Sequence, residues 1–190
     1  MRVIAGKARR LPLKTIPGTE TRPTTDRIKE TLFNILQNDI PGIRFLDVFA
    51  GSGGIGIEAL SRGAMEAYFI ENNRAAASCI RDNLVFTRLV QQGTVITADV
   101  LAAFAKLEGQ SPFQIIFMDP PYGRDLERTA LTYLAARRPS FVDEETQIIV
   151  EASLGTDFSY VEELGFQLSR VKEYKTNMHV FLKLQEQEHI

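Results

Sequence analysis

Four acids stand where short apolar runs end: Asp47 in "IRFLDV", Glu71 in "AYFIE", Asp99 in "TVITAD" and Asp119 in "IIFMD". In an open sheet of parallel strands the carboxyl ends form the ligand crevice, close to the point where strand order reverses. Any one of these acids alone fits a helix N-cap or a solvated loop position. Four in corresponding places point to a bound ligand that carboxylates can recognise. Glu151 closes a fifth run, "QIIVE", and is read as structural.

The fourth acid opens "DPPY", which is Asp119, Pro120, Pro121 and Tyr122. Proline gives no N–H to a sheet and pushes the residue before it out of the helical region, so the strand must stop near Asp119 and continue stiff and extended. A carboxylate, a fixed carbonyl and a phenol in that order suit transfer of a group to the exocyclic amine of a nucleobase. The amine's lone pair is conjugated into the ring. Asp119 and the carbonyl of Pro120 can accept its hydrogens, turn the lone pair toward an electrophile and stabilise the positive charge that develops. Tyr122 offers a face on which the base stacks, worth about 1–3 kcal/mol in single-strand binders. No general base of shifted pKa is needed, because the product ammonium is itself acidic.

After the first run comes "DVFAGSGGIGIEAL", in which Gly51, Gly53 and Gly56 fit G-x-G-x-x-G between a strand and a helix. Such glycines let backbone amides at a helix N-terminus approach a ligand, and an acid about 20 residues on, here Glu71, can accept from both ribose hydroxyls. The pattern by itself also describes a nicotinamide dinucleotide site. Asp47, ahead of the glycines, separates the two: a carboxylate facing the cradle repels a pyrophosphate and attracts a cationic amino-acid moiety. S-adenosylmethionine carries an ammonium and a sulfonium there, and Asp99 is placed to accept from its adenine amine. The expected contact set is Asp47, Phe49, Ala50, Gly51, Ser52, Gly53, Glu71, Asn72, Asp99 and Val100.

Other chemistries are not written in the chain. His179 and His189 form no metal-ligand spacing with cysteine, so no metal is expected. The single cysteine, Cys79, falls in a helical run away from the strand ends and reads as a small apolar filler rather than a nucleophile. Neither a phosphate-binding G-x-x-x-x-G-K-[ST] nor a G-x-S-x-G nucleophile elbow occurs.

A chain of 190 residues with 44% apolar and 24% charged residues suits one globular domain. No signal peptide and no membrane span is expected, and a cytoplasmic monomer is. Its net charge of −2 is unevenly spread: residues 1–30 hold eight Lys or Arg against three acids, a net of +5, which leaves −7 on the rest. A basic end on an acidic body is a candidate polyanion-binding face, with Arg9, Arg10, Arg22, Thr24 and Arg27 as its expected RNA contacts. A solvated tail is the plainer alternative for Arg9 and Arg10, against which the apolar residues of "MRVIAG" and "ARRLPLKTI" count.

The elements that must position these groups follow from the pattern. Residues 1–23 are expected as a basic arm or hairpin, with two short strands around Gly6–Arg10, and residues 24–38 as a helix whose apolar face is Ile28, Leu32, Ile35 and Leu36. Strands are expected at 43–48, 67–70, 94–98, 115–118 and 147–150, and helices near 54–63, 73–87, 100–108, 125–137 and 156–164. This alternation predicts a parallel sheet covered on both faces, an α/β class. Residues 166–174 and 178–184 then form an antiparallel hairpin that closes a core over 43–184, and 185–190 are a tail.

Across nearly its whole length the chain resembles a bacterial family, that of the 16S ribosomal RNA (guanine-N2)-methyltransferases of the guanine-966 type. "RVIAG…ARRL", "TRPTTDRIKETLFNIL", "DVFAGSGGIGIEALSRGA" and "DPPY" carry the resemblance. It implies a Rossmann-like, class I fold with a seven-stranded sheet whose last strand is antiparallel, and S-adenosylmethionine as methyl donor. Matched by motif, Asp47, Gly51 and Gly53 belong to the methionine-side loop, Glu71 to the ribose contact, Asp99 to the adenine contact, and Asp119 to Tyr122 to catalysis. The implied substrate is a guanine of 16S rRNA presented in the small ribosomal subunit. Competing readings are another amine acceptor in RNA, DNA or protein, a nicotinamide-dependent oxidoreductase, and an RNA-binding assembly factor without activity.

Overall fold

A computed structural model of the chain describes residues 1–16 and 26–185. Five strands, β1 (Arg44–Val48), β2 (Glu66–Glu71), β3 (Gly93–Thr97), β4 (Ile115–Met118) and β5 (Gln147–Ser153), run parallel. Two more, β6 (Phe166–Glu173) and β7 (Asn177–Leu184), form the expected hairpin, and β7 enters the sheet antiparallel to β5. The strand order is β3-β2-β1-β4-β5-β7-β6, so the order reverses between β1 and β4. The fold class is the expected one, and the crevice above β1 and β4 is where a ligand belongs.

Strand residues alternate between two cores, as the two-residue period requires. Leu46, Val48, Ile116, Met118, Ile148 and Val150 face one side, with Phe104 and Leu107 of α4 (Val100–Leu107) and Leu131 and Leu134 of α5 (Leu126–Ala136). Phe45, Phe69, Ile115, Phe117, Ile149 and Phe181 face the other. That side is covered by α1 (Asp26–Ile35), by α2 (Gly54–Ser61), by Ile80 and Leu84 of α3 (Arg74–Phe86), and by Val3, Ala8 and Leu13 of the arm. Local signals start these helices: the Asn73 side chain accepts from the amides of Ala75 and Ala76, and Asp99 accepts from that of Ala102.

The arm is docked, not solvated. One antiparallel bridge, Arg2 with Pro12, stands in place of two strands, and the amide of Val3 donates to Leu11 while that of Arg10 donates to Val3. Its backbone is held against α2: the amides of Ile4 and Ala5 donate to Glu58, and that of Ala8 donates to the Ser61 hydroxyl. Glu58 is fully buried and also binds Lys29 at 3.3 Å and Arg62 at 2.7 Å. Burial pulls the Lys29 ammonium below its usual range, with the Glu58 carboxylate opposing. This pair draws Lys29 inward, so the buried stripe of α1 is Lys29, Leu32 and Phe33, continued by Leu36 just past the helix. Ile28 and Ile35, expected on that face, sit at its margin.

Two further element assignments change. The first helix ends at Ile35, short of 38; its expected start at Thr24 lies outside the described residues, as do Arg22 and the tail beyond Gln185. The helix expected over 156–164 is instead one 3-10 turn, Ser159–Val161. Gly155 and Gly165 bracket it with φ of +82° and +76°, and the Asp157 carboxylate binds the amide and hydroxyl of Ser159, which favours a tight turn. Its two buried anchors, Phe158 and Val161, stand three residues apart, a spacing that the 3-10 turn satisfies.

Replacing Glu58 by Ala leaves Lys29 as a buried cation without its carboxylate, removes the partner of the partly buried Arg62 and frees two arm amides. The expected loss is about 3–5 kcal/mol of stability, the range for breaking a buried ion pair, read by urea unfolding. A change below about 1 kcal/mol would mean that the arm does not depend on this carboxylate.

Candidate functional site

Val48, Met118, Val150 and Val180 lie in one register row across β1, β4, β5 and β7. One residue further, the Asp119 amide donates to the Val48 carbonyl at 3.4 Å, and Glu151 pairs with His179. Alternation therefore sets Asp47, Asp119, Glu151 and His179 on the face of Phe117 and Phe181, beneath the end of the sheet where strand order reverses. Of the sequence-predicted acids, Asp47 and Asp119 are brought together and Glu71 acts on Asp47, whereas Asp99 stands apart as an exposed helix cap. Glu151, read from the sequence as structural, joins Asp47 and Asp119.

Asp47 is only 2% exposed, and its Oδ2 accepts from the Gly56 amide at 2.8 Å. It thus lies under the first turn of α2 rather than open to the crevice. Burial pushes its carboxyl up to about 8, the Gly56 bond works the other way, and the charge of Glu71 adds to the rise. The glycine loop crosses above it. Phe49 and Gly51 have φ of +63° and +55°, and the Gly53 amide closes the turn onto the Ala50 carbonyl at 2.7 Å. A Cβ on Gly51 would point into open space, with nothing within 4 Å, so the loop's bare backbone faces the crevice. Gly56 is glycine for another reason: a Cβ there would run into the Phe69 ring, so it sets how closely α2 approaches the sheet.

Glu71 holds the loop in shape. Its Oε2 accepts from the Gly51 amide and its Oε1 from the Asn73 amide, both at 2.8 Å. Each carboxylate oxygen has a second lone pair, so Glu71 can bind the loop and two hydroxyls together. Asn72 follows it in the turn, and Asp99 is exposed as the N-cap of α4 with Val100 buried behind it. Asn83, not singled out from the sequence, donates to the carbonyls of Ser52 and Lys14 at 3.0 Å each. It therefore ties the glycine loop to the arm.

Asp119 is partly exposed, and among the described residues nothing donates a hydrogen bond to its carboxylate. Burial, then the charge of Glu151, then that of Asp47, hold its carboxyl well above the usual range. Pro120 is buried behind it and Pro121 is half-buried. Tyr122 is 45% exposed while its hydroxyl donates to Glu151 Oε1 at 3.3 Å. Burial and the carboxylates of Glu151 and Asp119 raise the Tyr122 phenol, so it stays a donor. Glu151 also accepts from Asn177 Nδ2 at 2.6 Å and pairs with His179 Nε2 at 3.1 Å. Glu151 ends an apolar run in the sequence as the other acids do, which was the available signal, although β5 continues to Ser153; the partners on β7 come from pairing that no local pattern encodes.

These residues fit S-adenosylmethionine better than a dinucleotide. Carboxyls that raise one another's pKa mark a region of negative potential, hostile to a pyrophosphate and favourable to an ammonium and a sulfonium. Of the expected RNA contacts, Arg9, Arg10 and Arg27 are exposed, and none forms a salt bridge among the described residues.

Two outcomes follow for the cofactor. Glu71→Ala is expected to weaken S-adenosylmethionine binding by about 1–3 kcal/mol, the range of a hydrogen bond to a charged group, measured by calorimetry; unchanged affinity would remove Glu71 from the site. A carboxyl neutral below about pH 8, as Asp47 is, must lose its proton to attract a cation. Affinity should therefore rise as pH rises toward that value, with a proton released on binding below it, seen as a binding heat that varies with buffer ionisation heat. A flat affinity without proton release would contradict this electrostatic fit.

A family model described as conserved hypothetical protein 95 matches residues 1–183. The chain is 41% identical over 135 residues to YlbH of Bacillus subtilis, spanning 70% of this chain and 73% of the relative. It is 37% identical over 156 residues to the ribosomal RNA small subunit methyltransferase D of Escherichia coli, spanning 81% and 75%. A solved structure of the Escherichia coli protein yhhF superposes with a TM-score of 0.83 at 32% identity, over 98% of this chain and 99% of that one. With its mixed seven-stranded sheet and its strand-end carboxylates, the chain belongs to this family of Rossmann-like, S-adenosylmethionine-dependent methyltransferases, that of the small-subunit methyltransferase D proteins.

Proposed function

We propose that the chain methylates the exocyclic N2 of a guanine in 16S rRNA, guanine 966 of the small ribosomal subunit, acting as a monomer without a metal. The observation that carries this reading is Asp119: a carboxylate at the switch point with no donor among the described residues, next to a buried Pro120 and a half-exposed tyrosine. A carboxylate left without a partner beside a stacking face is an acceptor waiting for a donor, and an exocyclic amine supplies one.

S-adenosylmethionine, when bound, supplies an electrophilic methyl on sulfur. Gly51 and Gly53 would bring the loop backbone to its methionine end, Glu71 would take its ribose and Asp99 its adenine. Asp119 and the Pro120 carbonyl accept the hydrogens of the guanine amine, which localises its lone pair and offsets the positive charge that grows on nitrogen. Tyr122 stacks on the base. Holding the amine in line with the methyl is where most of the rate is gained, since orientation is worth up to about 7–11 kcal/mol. A loop guanine is extruded at lower cost than a paired one.

The exposed Arg9, Arg10 and Arg27 lie on the arm and on α1, the elements that cover the same sheet face as Asp119. With Arg22 and Thr24, which the sequence adds to this group, they make a phosphate-binding face whose affinity should fall with salt.

The test uses labelled S-adenosylmethionine and small subunits from cells lacking the enzyme, with the RNA digested to nucleosides. Label in N2-methylguanosine is expected, and Asp119→Ala should abolish it while leaving cofactor binding largely intact. Label in another nucleoside, or none, would overturn the acceptor assigned here. Because Asp119 accepts its amine hydrogen best as the ionised carboxylate, and its pKa is raised, kcat/KM for the subunit should climb as pH rises above the ordinary aspartate range. A rate that is level from about pH 5.5 to 8.5 would contradict that role.

A further inference from the structure

Glu151 lies outside the four catalytic-motif residues, yet its carboxylate accepts the hydrogen of the Tyr122 hydroxyl, a hydroxyl that Asn177 also contacts. We infer that Glu151 is a positioning residue which fixes the Tyr122 ring as a preset platform for the target base, and that His179 and Tyr174 hold Glu151 in turn. The inference rests on the proposed base-methylation reading and extends it.

The geometry is a chain of contacts running inward from the surface. Tyr122 is exposed at its ring and tethered at its hydroxyl. Glu151 is 4% exposed and uses both oxygens: Oε1 accepts from Tyr122 and Asn177, and Oε2 pairs with His179 Nε2. His179 is fully buried, its Nδ1 is 3.1 Å from the Tyr174 hydroxyl, and its ring meets Phe117 edge-on at 5.9 Å. β5–β7 pairing places Glu151 opposite His179, so the anchor is set by the rigid sheet and not by the loop that carries Tyr122. A buried carboxylate is costly unless donors surround it; here the donors leave it one outward task, accepting from the phenol.

A free tyrosine ring on a proline loop samples rotamers and must be ordered when the base arrives. A tethered ring has lost that freedom beforehand, so the base meets it at lower entropic cost. This also accounts for tyrosine at this position, because phenylalanine offers the same stacking face without the tether. Such a platform should govern subunit binding and base placement and leave the cofactor pocket alone.

The test has a substrate-free arm and a kinetic arm, on the full chain. With 3-fluorotyrosine incorporated, the position 122 fluorine resonance is assigned by its loss in Tyr122→Phe. In Glu151→Gln that resonance should move toward the free-tyrosine position, with those of Tyr68 and Tyr133 unmoved; an unmoved Tyr122 resonance overturns the tether. In methyl transfer to subunits, Tyr122→Phe and Glu151→Gln should each raise KM by about 3–10-fold, the scale of one hydrogen bond. S-adenosylmethionine affinity should stay within about twofold, and the double variant should be no worse than the poorer single one. Additive losses, or a matching loss of cofactor affinity, would make Glu151 merely structural and overturn the inference. Should Glu151→Gln fail to fold, an unchanged KM in Tyr122→Phe overturns it alone. A wild-type chain inactive on subunits would defeat the proposed function, while the fluorine resonance still decides the tether.

Discussion

Carboxylates gathered at the ends of adjacent parallel strands repel one another, and desolvation sharpens the repulsion. Asp47 on β1, Asp119 just past β4 and Glu151 on β5 lie across the switch point, with Glu71 one strand away at the end of β2. Burial is the largest cause of the raised pKa of Asp47 and Asp119, and neighbouring carboxylates add to both. Without a cation the stable arrangement keeps some of these groups protonated. A ligand bearing positive charge relieves the repulsion and ionises them, so one group of charges can both select the cofactor and prepare the acceptor that orients the amine.

The remainder of the fold keeps these groups in place. Glu71 grips the glycine loop through Gly51, and Asp47 grips the start of α2 through Gly56. Asn83 links that loop to the arm, and Glu58 fastens the arm to α2. The basic arm is therefore mechanically continuous with the cofactor loop. The carboxylates that carry structure are satisfied by backbone amides, neighbouring side chains or buried cations, whereas nothing among the described residues donates to Asp119. That contrast separates the group available for chemistry from those that hold the frame.

Much of this was legible in the sequence because the signals are local. Apolar runs located all seven strands of the sheet, though β5 runs on to Ser153 and the arm forms one bridge in place of two strands, and "DPPY" and the glycine motif stand where strands end, as their backbone chemistry requires. What was not legible depends on distant pairing. Lys29 reads as a solvated helix residue until Glu58 draws it inward. Glu151 looks structural until β7 sets His179 and Asn177 beside it and Tyr122 folds back onto it. The 3-10 turn at Ser159–Val161 escaped because "DFSYVEELG" has helix-forming residues, and two left-handed glycines with the Asp157 turn outweigh their preference.

The ionisation of Asp119 is the most direct test. Carbon-13 labelled aspartate, with the position 119 signal assigned by Asp119→Asn, would be titrated in the free protein and with S-adenosylmethionine bound. The account predicts a free-protein pKa well above that of an ordinary aspartate, falling when the cationic cofactor binds and falling less with S-adenosylhomocysteine, which lacks the sulfonium charge. An Asp119 that titrates near the ordinary value of about 3.9 in the free protein, or one indifferent to the charge on sulfur, would contradict it.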